Sequence, residues 1–223
     1  MWERRFYAIV LFGLCAVFGV VYYERYYEPK KVQADSFEIY EHMVAITFDD
    51  GPGPYTEALL DGLKKRGVHA SFFLIGESIS GREDTVLRMY KEGHVIGNHT
   101  FSHIGLTTVS TQAALKEITD TNCVIRRITG EDVRFIRPPY GMWDEKFLYM
   151  VDLTPVMWSV DPDDWMTDSV ATVVKRVVDN VKDGDIILLH DIYPSSVQAA
   201  LEIIDILSAR GYGFVTVEDL LID

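Results

Sequence analysis

From Met43 onward, short apolar runs alternate with longer stretches in which apolar residues recur every three or four positions, the signatures of buried strands and amphipathic helices. The strand-like runs are Met43 to Phe48, Ala70 to Ile75, Val95 to Ile96, Val133 to Ile136, Pro155 to Val160, Asp185 to Leu189 and Gly213 to Val217. The helix-like segments are Tyr55 to Arg66, with Leu59, Leu60 and Leu63 on one face, Thr85 to Glu92, Thr111 to Ile128, with Leu115, Ile118 and Ile125, Val170 to Val181, and Ser196 to Arg210. Gly67, Gly93 and Gly211 stand where three of these must stop. Strand and helix in alternation predict parallel strands with crossover helices, and about seven strands suit one α/β domain of barrel type. In such folds the residues just beyond each strand carry the chemistry.

Ahead of this domain, Phe6 to Tyr23 is an unbroken apolar and aromatic run with Arg4 and Arg5 before it. Its length is near the lower limit for a spanning helix. A cleaved signal peptide needs small residues close behind the apolar run, but Tyr22, Tyr23, Tyr26 and Tyr27 stand there, and Val32-Gln33-Ala34 comes late. An uncleaved single-pass transmembrane helix is therefore expected, with the tyrosines in the interface. Basic residues flank the run on both sides, so they do not orient it. The plan is an anchor over 1–23, a polar linker over 24–42 and one domain over 43–223.

A hydrophobic content of 48% is ample for a core, and a net charge of -13 argues against nucleic acid or an anionic lipid surface as partner. Two cysteines, Cys15 and Cys123, supply neither a disulfide framework nor a cysteine metal site.

The strand ends are richer. The first strand runs into Asp49 and Asp50, and Gly51, Pro52, Gly53 and Pro54 then force a turn. Side chains alternate along extended backbone, so the two carboxylates should face different partners, one a metal and the other a proton. The third end carries His99 and His103, four apart, with Thr100 where a zinc-protease helix would have its glutamate. With Asp50 as third ligand, these histidines make an open site for a divalent metal, zinc foremost. The fourth end reads Arg137-Pro138-Pro139-Tyr140-Gly141, a rigid loop whose Tyr140 amide can meet a carbonyl and whose Arg137 can pair with Asp49. The fifth and sixth ends give Asp161 to Trp165 and then His190 after a fully apolar strand. His190 fits a proton donor, Asp164 a residue that orients it, and Leu188, Trp158 and Trp165 apolar walls for a small substituent. Each feature alone also fits a solvated turn, a polar loop histidine or a core residue.

Together the five segments resemble the polysaccharide deacetylases of carbohydrate esterase family 4, which share the NodB homology domain. The motifs are Thr47-Phe48-Asp49-Asp50-Gly51-Pro52, His99-Thr100-Phe101-Ser102-His103, Arg137-Pro138-Pro139-Tyr140-Gly141, Asp161-Pro162-Asp163-Asp164-Trp165 and Leu188-Leu189-His190. The resemblance implies a distorted (β/α) barrel, Asp49 as general base, Asp50, His99 and His103 as metal ligands, and His190 as general acid. It further implies the Tyr140 amide as oxyanion donor, with Arg137 tuning Asp49 and Asp164 tuning His190. The ion expected is Zn²⁺, with Co²⁺ an alternative. The activity implied is hydrolysis of N-acetyl groups from an envelope polysaccharide, either N-acetylglucosamine of peptidoglycan or a chitin-like oligomer. An O-acetyl esterase acting on a polymer such as xylan is the alternative, as is a catalytically silent carbohydrate-binding module, although no base or ligand has been lost. A monomer is expected, anchored in the cytoplasmic membrane with its catalytic domain outside.

Overall fold

The computed structural model describes residues 42–222. The expected anchor and nearly all of the linker lie outside the described residues, and among the described residues no helix is long and apolar enough to cross a membrane.

Among the described residues seven strands form, β1 His42–Asp49, β2 Ser71–Leu74, β3 Val95–Asn98, β4 Phe135–Ile136, β5 Thr154–Pro155, β6 Ile186–His190 and β7 Tyr212–Val215. Every pairing is parallel, in the order β5-β4-β3-β2-β1-β6, with β7 on β1. Strand β1 makes the most pairings: its second half pairs with both β2 and β6 and its first half with β7. Helices α1 Thr56–Arg66, α2 Glu83–Lys91, α3 Thr111–Thr129, α4 Val170–Val178 and α5 Pro194–Ala209 fall where periodicity predicts them. Their ends have local causes. Ser110 and Ser169 accept the amides of Ala113 and Thr172 at the starts of α3 and α4. Gly67 takes φ 65° to close α1, a left-handed turn that glycine enters without penalty.

Two differences from expectation matter for the site. Pro155 to Val160 does not form one strand: only Thr154–Pro155 pairs with β4, after which the chain crosses to β6 and touches it at a single bridge, Val160 to Ile187. The sheet is thus an open half-barrel, and this crossing segment spans its gap. The freed carbonyls of Val156 and Met157 are satisfied by the guanidinium of Arg137, at 3.0 and 3.1 Å, in place of a neighbouring strand. The second difference is a short helix, α6 Val217–Ile222, absent from the pattern reading. Six residues are too few to show a helical period. Thr216 and Asp219 nevertheless exchange capping bonds at its start, a signature that is present in the sequence.

Alternation along the strands sorts the chain into two apolar layers. Val44, Ile46 and Phe48 of β1 pack with Leu59, Leu60 and Leu63 of α1 in the main core, as do Ile187 and Leu189 of β6. The opposite face puts Ala45, Phe73, Phe135 and Val156 in a smaller cluster inside the half-barrel, closed by Val217 of α6. Continuing that inner face toward the strand ends brings Asp49, His99 and His190 to one mouth.

Candidate active site

The cavity at this mouth measures about 350 Å³ and is lined by Asp49, Asp50, His99, His103, Tyr140, Trp158, Asp161, Trp165, Leu188, His190 and Tyr193. The three predicted metal ligands are together: one donor atom each from Asp50, His99 and His103 lies within 4.8 Å of the others. Asp50 Oδ1 sits 3.4 Å from His99 Nε2 and 3.3 Å from His103 Nε2. It is buried and has no hydrogen-bond partner among the described residues. The opposite ring nitrogens are engaged, His99 Nδ1 by the Arg137 carbonyl at 2.6 Å and His103 Nδ1 by the Tyr140 hydroxyl at 3.2 Å. A carbonyl only accepts, so His99 Nδ1 carries the proton and Nε2 presents its lone pair.

Charge states agree with this use. Burial alone would raise the pKa of Asp50, but the adjacent His99, with His190 and His103, lowers it, so the carboxylate is anionic. Burial lowers the pKa of His103 despite Asp50, keeping the ring neutral. An orphaned carboxylate oxygen facing two imidazole ring nitrogens suits a divalent ion of the zinc type with a position left open.

One expectation is corrected here. Asp49 and Asp50 do not turn to wholly separate partners, because Asp50 leaves the extended region for φ 71°, which swings its carboxylate back. Asp49 Oδ2 consequently lies 3.7 Å from the same His99 Nε2. What separates the two acids is Arg137, which binds Asp49 Oδ1 at 2.9 Å. Arg137 is fully buried, bonds Thr47 Oγ1 at 2.7 Å, and lies over the ring of Phe73. Burial pushes its pKa down and Asp49 pushes back.

Opposite the metal donors stands His190, whose Nδ1 is 2.8 Å from Asp164 Oδ1 and whose amide donates to Asp164 Oδ2 at 2.8 Å. One buried carboxylate therefore fixes both backbone and ring. Burial would lower the pKa of His190, but the bond and charge of Asp164, with Asp49 and Asp50, raise it to about 9.

The Tyr140 backbone stands at φ 61°, and its side chain, beyond the amide role expected of this residue, bonds His103. Leu188, Trp158 and Trp165 line the cavity as expected, with Trp165 largely at its solvent rim. Three residues in or beside the mouth have no role assigned from the sequence. Asp161 and Tyr193 line the cavity. Asp191 is fully buried, accepts a hydrogen bond from Thr56 Oγ1, and is raised to about 7 chiefly by burial. Asp191 directly follows His190, which is the one signal that pointed to it.

Fold and site define an α/β half-barrel with a two-histidine, one-carboxylate cluster between a buried Asp–Arg pair and a buried Asp–His pair. The profile of the family described as Polysaccharide deacetylase matches residues 39–156, and the chain belongs to that family. It is 43% identical over 181 residues to the peptidoglycan-N-acetylmuramic acid deacetylase PdaC of Bacillus subtilis, covering 81% of this chain and 39% of PdaC. The solved PdaC structure aligns with a TM-score of 0.78, covering 80% of this chain and 89% of that one. A peptidoglycan-N-acetylglucosamine deacetylase of Bacillus cereus is 38% identical over 190 residues, covering 81% of this chain and 89% of the relative. A family 4 acetyl xylan esterase from Clostridium thermocellum, solved with a cobalt ion, aligns with TM-score 0.75 at 36% identity, covering 81% and 90%. The chain spans about two fifths of the length of PdaC.

Proposed function

We propose that this chain is a metal-dependent deacetylase of peptidoglycan, hydrolysing the N-acetyl group of an amino sugar, N-acetylglucosamine foremost, to acetate and a free amine. The observation that carries this reading is the convergence of Asp50, His99 and His103 between the Asp49–Arg137 pair and the His190–Asp164 pair at one cavity. The deacetylase relatives support it.

A divalent ion held by Asp50, His99 and His103, for which we propose zinc, supplies Lewis acidity to the acetyl carbonyl and lowers the pKa of water. Asp49 is the general base: Arg137 occupies Oδ1, which leaves Oδ2 to take the proton of the attacking water. The Tyr140 amide, the first N–H after two prolines, donates to the developing oxyanion. His190 then protonates the departing amine from the ring nitrogen that Asp164 leaves free. Amide hydrolysis needs this proton because an unprotonated amine is a very poor leaving group, so a base and a separate acid are required. Leu188 and Trp158 wall the acetyl methyl, and Trp165 at the rim meets the sugar.

The similarity to an acetyl xylan esterase favours one second reading, an O-acetyl esterase using the same groups. We further propose that the domain works outside the cytoplasmic membrane, where its polymer lies, as a monomer tethered through residues 6–23. The test is acetate release from purified peptidoglycan, chitin oligomers and acetylated xylan, with and without added zinc. Zinc-stimulated release from peptidoglycan is expected; release from acetylated xylan alone would transfer the assignment to the esterase.

A further inference from the structure

The loop from His99 to His103 carries two of the three proposed metal donors and is held in an unfavourable shape, with Thr100 at φ 64° and His103 at φ 56°. Such conformations persist in non-glycine residues only where surrounding bonds over-determine them. On one side the amides of Gly76 and Glu77 donate to the carbonyls of Thr100 and Phe101, each at 2.9 Å. At the loop's base His99 N–H donates to Leu74 O at 2.9 Å, and Thr100 N–H to the side chain of Asn98 at 2.7 Å. The N–H groups of Phe101 and Ser102 point the other way, and both meet Glu117 Oε2 on α3, at 2.9 and 2.8 Å. The Ser102 hydroxyl reaches both carboxylate oxygens at 3.1 Å.

We infer that Glu117 is a positioning residue for metal binding: its carboxylate gathers the Phe101 and Ser102 amides and so fixes the loop that aims His99 and His103 at Asp50. The inference rests on the reading of Asp50, His99 and His103 as metal ligands. A carboxylate accepting two backbone N–H groups forms charge-assisted bonds of about twice the ordinary strength. Helix α3 is itself tied to the strand end below the loop, since Asn98 Nδ2 donates to Ile118 O at 2.9 Å and to Asn122 Oδ1 at 2.7 Å. Glu117 thus stands on a base that is registered with His99. Without it the two amides turn to solvent and the left-handed residues relax, which displaces His103 most.

The test is zinc affinity, measured by competition with a chromogenic chelator on the parent, Glu117→Ala and Glu117→Gln, beside thermal unfolding of each metal-free protein. Glu117→Ala is expected to weaken zinc about 10- to 100-fold, the usual cost of losing a residue that supports metal ligands. Glu117→Gln keeps an oxygen acceptor for the same amides and is expected to stay within about threefold of the parent. If Glu117→Ala does not fold, Glu117→Asp replaces it, withdrawing the charge by one methylene, with a loss of about tenfold expected. A variant that loses thermal stability but holds zinc as the parent does assigns Glu117 to the fold alone and overturns the inference. A parent that binds no zinc overturns the metal reading itself, a separate result.

Discussion

His190 would be a weak acid at neutral pH in water, and its surroundings decide otherwise. Asp164 with the two aspartates raises its pKa to about 9 against the effect of burial, so the ring is protonated across the neutral range. The acid form is complete below the ordinary value of 6.5 and is lost as pH rises through the folded value, and the stability that the Asp164 pair contributes disappears in the same window. A cation at Asp50 offsets part of the carboxylates' pull, so the alkaline limb of kcat in the loaded enzyme lies at or below about 9. Asp164→Asn removes the paired charge while preserving the shape, and should move that limb toward acid by about 1–3 units. An unmoved limb would show that another group delivers the proton. This part of the site was legible because His190 ends an apolar strand. The direction of Asp50 was not, because side-chain alternation fails at a residue with positive φ.

The elements that position these residues were readable to different degrees. Long periodic helices with caps, such as α3, stand close to their predicted bounds, because nineteen residues with a capping serine and a terminal glycine leave little freedom. The crossing segment after β5 was misread as a strand, since its apolar run answers to Arg137 and to the gap in the sheet instead of to a ladder. Glu117 and Asp191 are hard to read for a related reason: their partners, the Phe101 and Ser102 amides and the Thr56 hydroxyl, stand well away in sequence, and only the place of Asp191 after His190 hints at it. Asp191 also limits the turn after β1. A Cβ at Gly51 would lie 2.6 and 2.7 Å from the Asp191 carboxylate oxygens Oδ1 and Oδ2, of which Oδ2 accepts the hydrogen bond of Thr56 Oγ1. Gly51→Ala should therefore cost about 1–3 kcal/mol through overpacking and should weaken zinc by moving Asp50. Thermal unfolding and zinc titration check both effects, and an unchanged midpoint would mean that the turn yields freely.

At the scale of the whole molecule, inner-face residues from strands far apart in sequence arrive at one mouth because every strand is parallel and ends on the same side. That is why five short motifs spread from Thr47 to His190 make a single site. The gap between β5 and β6 is spanned by the crossing segment and braced by the buried Arg137, while Trp165 and Tyr140 stand exposed at the edge of the mouth. The proposed function turns on a division of work between adjacent acids, Asp50 holding the metal and Asp49 moving the proton. The most direct measurement is zinc content together with acetate release from peptidoglycan for Asp49→Asn and Asp50→Ala. Asp49→Asn is expected to retain zinc at the parent's stoichiometry while its acetate release falls by about 10²–10⁴-fold, and Asp50→Ala to lose both. Loss of zinc from Asp49→Asn as complete as from Asp50→Ala would contradict this division.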